Sequence, residues 1–180
     1  MLLRVAEDEQ LAAALAAALA GGPPVTPRAS EAARAAIRPD LPVTEPGAAV
    51  VVATSGSTGD PKAVVLTASA LQFSAAATHR RLGGPGEWVC ALPTHYVAGL
   101  MTVVRSVVAG RGLRFTSPDL ADLPEPGERS YLSLVATQLH RVLGRPEQVS
   151  RLRGYAGVLA GGSAIQAGLR EAALDAGVNV

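Results

Sequence analysis

Aromatic residues make up only 3% of these 180 residues, cysteine occurs once, and the charges nearly cancel to a formal +1. Each scarcity excludes something. With Cys90 alone, an intramolecular disulfide and a thiolate-rich metal site are ruled out. Its setting, Trp88-Val89-Cys90-Ala91-Leu92, reads as that of a small buried hydrophobe. A balanced charge supplies no long-range field for a polyanion. No aromatic platforms alternate with Arg, and no zinc-finger spacing occurs, so nucleic acid is not an expected partner. The Ala/Leu run from Gln10 to Ala20 is too short to cross a bilayer. Met1-Leu2-Leu3-Arg4 leads into Glu7-Asp8-Glu9, where a secretory segment would be apolar, so a signal peptide is not expected. A soluble, cytoplasmic protein with no membrane partner is expected. No His, Asp and Glu cluster has metal-ligand spacing, so no dedicated metal site is expected either.

What is abundant is aliphatic: 48% of the residues are hydrophobic, largely Ala, Val and Leu. The first part of the chain predicts helices over Glu7–Ala20 and Glu31–Ile37, the second capped by Ser30. Residues 1–45 therefore read as a peripheral helical segment. From Val50 the pattern changes to short apolar runs alternating with helical stretches. Strands are predicted at Val50–Ala53, Ala63–Leu66, Glu87–Leu92, Leu113–Thr116, Tyr131–Val135 and Tyr155–Ala160. Helices are predicted up to Leu82 from a cap at Thr67 or Ser69, and over Val97–Ala109, Thr137–Leu143 and Ser163–Ala176. Such alternation predicts an α/β fold of layered sheets and helices over residues 46–180. His79 and His140 fall in predicted helices and read as surface residues.

The stretch Thr54-Ser55-Gly56-Ser57-Thr58-Gly59-Asp60-Pro61-Lys62 carries the chemistry. It sets hydroxyls, glycines and one lysine between two apolar runs. Free amides of a Gly-rich turn form an anion nest, and a mobile ammonium suits phosphate. Gly56 and Gly59 allow close ligand approach. The spacing is not Walker A, because Pro61 precedes Lys62 and a strand-like run follows instead of a helix. Nor is it the dinucleotide fingerprint.

This loop resembles the signature of the adenylate-forming acyl-CoA synthetase superfamily, approximately Thr-Ser-Gly-Ser/Thr-Thr-Gly-x-Pro-Lys-Gly, with Ala63 in place of the last Gly. Leu92-Pro93-Thr94-His95-Tyr96-Val97-Ala98-Gly99-Leu100 resembles the family's second core segment. Ser133-Leu134-Val135-Ala136-Thr137-Gln138-Leu139 resembles its Val-Pro-Thr-Gln-Leu segment, with Ala136 for Pro. Leu159-Ala160-Gly161-Gly162-Ser163-Ala164 resembles its Gly-Gly-Ala segment. The resemblance runs from about Val50 to the C-terminus and stands nearest the 2-succinylbenzoate-CoA ligase branch of menaquinone biosynthesis.

The resemblance implies the first part of the large N-terminal domain of an acyl-adenylating enzyme. It implies adenylation of an aromatic carboxylic acid by ATP, accompanied by Mg2+, followed by acyl transfer to CoA as co-substrate. Lys62, Thr58 and His95 would take part in catalysis. Thr54, Ser55, Gly56, Ser57, Thr58, Gly59 and Lys62 would hold the nucleotide phosphates. His95, Gln138, Gly161 and Gly162 would contact the acid. The family's later segments are a Tyr-Gly-x-Thr-Glu run, a ribose-binding Asp, a hinge and a small C-terminal domain with a catalytic Lys. None occurs in these residues, so the chain is expected to be inactive alone and to expose apolar surface through which a homodimer would form. The alternative is a standalone nucleotide- or phosphate-binding or assembly module without ligase activity.

Overall fold

A computed structural model of the chain describes residues 1–55 and 60–180, with Ser55 described in its backbone alone. In chain order the elements are β1 (Arg4–Ala6), α1 (Asp8–Leu19), β2 (Val25–Pro27), α2 (Glu31–Ile37), β3 (Ala48–Ser55), β4 (Pro61–Thr67), α3 (Ala68–Arg81), β5 (Glu87–Cys90), α4 (Val97–Ala109), β6 (Leu113–Phe115), β7 (Ser130–Val135), α5 (Ala136–Leu143), α6 (Pro146–Leu152), β8 (Gly157–Gly161) and α7 (Ala167–Asp175). The strands form two sheets, ordered β1-β2-β3-β4 and β6-β5-β7-β8. In the first, β1, β2 and β3 are parallel and β4 returns antiparallel to β3. The second is parallel throughout. The expected α/β layering is what the chain adopts.

The layers follow from which faces are apolar. Val50 and Val52 of β3 share one face, and pack with Leu11 and Leu15 of α1, Leu71 and Ala75 of α3, and Leu100, Val103 and Val104 of α4. The buried positions of α1, Leu11, Ala14, Leu15 and Ala18, recur at three- and four-residue steps, which lines them along one side of a helix. Val51, on the opposite face of β3, packs with Leu3 and Ile37 under α2. Helix α4 also lies against β5, so α1, α3 and α4 are sandwiched between the two sheets. Beyond the second sheet, Leu132, Leu134 and Val158 pack with Leu139, Leu152 and Ala173 of α5, α6 and α7. The result is an α/β/α/β/α stack. Its thin helix layer is built from Ala, Val and Leu, which is how the chain manages with so few aromatics.

Several local readings are revised by packing. The first 45 residues do not form only a peripheral helical layer. They add two strands to the first sheet, and Leu11 and Leu15 are fully buried in the core. Strands of three residues are too short to show a two-residue period, and the prolines around Val25 mask the second. Helix α6 has Pro146 in its first turn, a position that suits proline because no intrahelical donor is needed there. Helix α7 begins at Ala167, later than a cap at Ser163 would set it.

His79 is not a surface residue. It is 7% exposed, and the indole N–H of Trp88 donates to its Nε2 at 3.4 Å. The Arg105 guanidinium lies over the indole ring, 5.1 Å from its centroid. Burial, and then the Arg105 charge, push the His79 pKa down from its ordinary value. Tyr131 closes the cluster, its ring 5.1 Å from Trp88 and its hydroxyl donating to the carbonyls of Leu82 and Gly84. His140 is exposed, as expected.

Candidate functional site

Strands of a parallel sheet direct their carboxyl ends to one edge, and ligands of open α/β sheets bind there, where the strand order reverses. In the second sheet β5 is flanked by β6 on one side and β7 on the other, so the reversal falls between β5 and β7. The segments leaving those strands carry His95 and Thr137. In the first sheet, β3 runs parallel to β1 and leads into the Ser/Thr/Gly loop. One hydrogen bond sets the two sheets in relation: the Thr94 hydroxyl, just beyond β5, donates to the Asp8 carboxylate, just beyond β1. The segments that leave the carboxyl ends of β1 and β5 therefore meet at this bond.

Strands β3 and β4 pair antiparallel. Their register opposes Thr54 to Lys62 and Ser55 to Pro61. Directly opposed residues of an antiparallel pair project to the same face. Counting along the register from Val50 and Val52, that face is the one turned toward α1, α3 and α4. Lys62 is exposed on it. Gly56, Ser57, Thr58 and Gly59, four of the predicted phosphate-holding residues, lie outside the described residues.

His95 sits in a tight turn between β5 and α4. The Tyr96 N–H donates to the Pro93 carbonyl at 3.2 Å, and the Leu100 N–H to the Tyr96 carbonyl at 3.0 Å. Gly99 makes the turn this tight: a Cβ there would stand 2.3 Å from the Pro93 carbonyl oxygen. The His95 and Tyr96 rings stack at 4.3 Å, with His95 half-buried and Tyr96 60% exposed. Tyr96 was not among the predicted site residues. Its signal is an aromatic ring left exposed in a chain that has few. Beneath the turn, burial pushes the Cys90 thiol pKa up, consistent with a packing role for that cysteine.

Gln138 was expected to offer its amide to a carboxylate, and its packing gives it another task. It is 8% exposed. Its Nε2 donates to the carbonyls of Ala91 at 3.0 Å and Pro118 at 2.9 Å, and its Oε1 accepts the Val135 N–H at 2.9 Å. Both amide hydrogens are committed, so Gln138 has no donor left for a ligand. It joins the exits of β5 and β7 to the connector after β6 and caps the first turn of α5.

Gly161 ends β8 and Gly162 follows it. Gly162 has a φ of +83°, and a Cβ there would meet Val135 Cγ1 at 3.2 Å. A Cβ at Gly161 would meet nothing within 4 Å, so that glycine leaves free space above the strand end. Next to it, between α5 and the segment entering α7, is a cleft of about 550 Å3 lined by Ala136, Thr137, His140, Arg141, Ser163 and Gln166, among others. Arg141 and His140 supply its cationic and imidazole groups. Neither was predicted to be functional, although Thr137, His140 and Arg141 stand at helical spacing on the polar side of α5, opposite Leu139 and Val142. Among the described residues, no group of three His, Cys, Asp or Glu side chains is placed to hold a metal ion, and no helix is long and apolar enough to cross a membrane.

A family model for AMP-binding enzymes matches residues 3–179. The chain belongs to that family. Among its relatives is a protein of Mycobacterium tuberculosis (strain CDC 1551 / Oshkosh) named probable 2-succinylbenzoate–CoA ligase, 43% identical over 141 residues, which cover 73% of this chain and 37% of the relative. A 2-succinylbenzoate–CoA ligase of Enterococcus faecalis is 32% identical over 123 residues, which cover 65% of this chain and 25% of the relative. The chain thus spans between a quarter and two-fifths of the length of these curated relatives. Of solved structures, E. coli MenE with bound OSB-AMS superposes with a TM-score of 0.71 at 23% identity, covering 98% of this chain and 46% of that one, a likeness that shows the fold. MenE from Bacillus subtilis in complex with AMP gives a TM-score of 0.59 at 26% identity over 72% of this chain and 28% of that one.

Proposed function

We propose that this chain supplies the phosphate-binding and acid-binding surfaces of an ATP-dependent acid–CoA ligase of menaquinone biosynthesis whose acid is 2-succinylbenzoate. The observation that supports the reading is the Thr94–Asp8 bond, which joins the segment leaving β5, with His95, to the segment leaving β1 of the sheet that carries Thr54 and Lys62. In the first half-reaction a carboxylate oxygen attacks the α-phosphorus of ATP, giving an acyl-adenylate and pyrophosphate. In the second, the CoA thiol attacks the acyl carbon and AMP leaves. ATP enters with Mg2+. The residues need to align two anions and offset the charge that develops on the phosphoryl oxygens.

Lys62 and Thr54, with Ser55, Gly56, Ser57, Thr58 and Gly59, hold the phosphates in this reading. His95 borders the reacting carboxylate, and Gly161 and Gly162 leave it room. The substrate class follows from charge. 2-Succinylbenzoate carries two carboxylates and only one is activated; the other stays anionic and needs a cation. Arg141 in the cleft beyond β7 and β8 meets that need.

Calorimetry of the chain tests this. ATP–Mg2+ is expected to bind, and Lys62→Ala to weaken it by roughly 1.5–3 kcal/mol, the worth of a charged hydrogen bond. 2-Succinylbenzoate is expected to bind more tightly than benzoate, and Arg141→Ala to remove the difference. Equal affinity for the two acids, or ATP binding indifferent to Lys62, contradicts the proposal.

A further inference from the structure

The hydrogen bond between Thr94 and Asp8 crosses 86 positions of sequence. Thr94 is 3% exposed, and its hydroxyl is spent entirely on that carboxylate. Asp8 is the first residue of α1, where a carboxylate also faces the positive end of the helix dipole. Its side chain is therefore a fixed post on a helix whose buried side is anchored by Leu11 and Leu15. Thr94 in turn is the second residue of the tight turn Pro93–Tyr96, and His95 is the third. The Tyr96 N–H to Pro93 bond, the Leu100 N–H to Tyr96 bond and the close approach at Gly99 are all local to the turn and the start of α4. Among the described residues, the Asp8 contact is the hydrogen bond from the turn that refers it to the segment leaving β1 of the first sheet, which carries Thr54 and Lys62.

We infer that Asp8 is a positioning residue for the candidate site: through Thr94 it sets where His95 and the stacked Tyr96 ring stand relative to the phosphate hairpin. This assigns a functional task to the first helix, and it rests on the reading of the His95 turn as part of the acid-binding surface. Asp8 touches no substrate in this scheme. It holds the turn from behind, so that the histidine and the hairpin keep one separation.

The test uses the 180-residue chain and two readouts. The first needs no ligand. A nitroxide attached at Lys62→Cys, with Cys90 buried and out of its reach, broadens the His95 ring protons according to their separation from the hairpin, and with three histidines in the chain those protons are assignable by comparison with His95→Gln. In Thr94→Val and in Asp8→Ala, made in the labelled chain, the broadening is expected to change, while the amide resonances of β7 and β8 stay put. Thr94→Ser and Asp8→Asn keep a donor and an acceptor, and are expected to restore it. The Asp8 variants alter an exposed residue, so they report even if Thr94→Val fails to fold. Unchanged broadening in Asp8→Ala overturns the inference. So does failure of both conservative variants to restore it. The second readout is calorimetry with the sulfamoyl analogue of 2-succinylbenzoyl adenylate. Asp8→Ala is expected to bind it about tenfold more weakly, about 1.4 kcal/mol, with ATP–Mg2+ affinity unchanged. Equal analogue affinity in Asp8→Ala and the parent chain overturns the inference and leaves the function reading intact. Failure of the parent chain to bind the analogue overturns the function reading, and the positional claim is then decided by the broadening of the His95 ring protons.

Discussion

Replacing Gln138 by Leu separates a scaffold role from a ligand-binding one. The substitution keeps the approximate volume and removes three hydrogen bonds: Nε2 to the Ala91 and Pro118 carbonyls, and the Val135 N–H to Oε1. The site is buried, so water does not readily replace the lost partners. Each neutral hydrogen bond contributes about 1 kcal/mol net, and a polar group left buried and unpaired costs roughly 1–3 kcal/mol. The Val135 N–H is also the orphan donor at the start of α5, normally satisfied in this way by a Gln in the third helical position. Together these give an expected loss of about 3–5 kcal/mol, set against a total stability of about 5–15 kcal/mol for a domain. Gln138→Glu is expected to be worse at neutral pH. It keeps the acceptor for Val135 but turns a carboxylate oxygen toward two carbonyl oxygens. Urea unfolding followed by circular dichroism measures both. A loss below about 1 kcal/mol for Gln138→Leu, smaller than even one such buried group warrants, combined with lost affinity for 2-succinylbenzoate, would refute the scaffold assignment and return Gln138 to the acid-binding surface.

Two further outcomes follow from the core. Leu15→Ala is expected to destabilise the chain by about 2–5 kcal/mol, because Leu15 is fully buried between α1 and the first sheet; chemical denaturation would show near-zero loss if α1 were only peripheral. His79 sets a pH dependence. Burial lowers its pKa in the fold, so the unfolded chain binds the proton more readily. The stabilisation by neutral His79 is then complete above the unfolded value of about 6.5 and is lost as pH falls below it toward the folded value. The difference in stability between pH 7.5 and pH 5 should shrink in His79→Gln, and an unchanged difference would show that other groups carry it.

Much of this organisation is legible in the residues. Val50-Val51-Val52 and Val64-Val65-Leu66 announce two strands, and these form β3 and β4. Ser30 and Thr67 cap α2 and α3 through their side chains as their positions suggest. Other features were not legible. Strands β1 and β2 exist because β3 offers them an edge to pair with, and nothing in three residues of either shows that. Gln138 looks like a free amide in sequence; three partners from distant segments occupy it. His79 looks like an exposed helical residue because the indole that buries it comes from β5.

By itself, the sequence determined the chemical kinds available: a hydroxyl- and glycine-rich stretch with one lysine, a histidine after a short strand, glycines after another, and an aliphatic composition that demands close layers. Those properties are local, set by the residues and their spacing. The tertiary structure alone decided which of them meet. The direction of parallel strands, and one hydroxyl–carboxylate bond between segments remote in sequence, brought the segments leaving β1 and β5 together. The same packing committed Gln138 to the scaffold and opened a cleft beside Arg141. Such outcomes depend on contacts between residues far apart along the chain, and the pattern within any one segment carries no record of its partner.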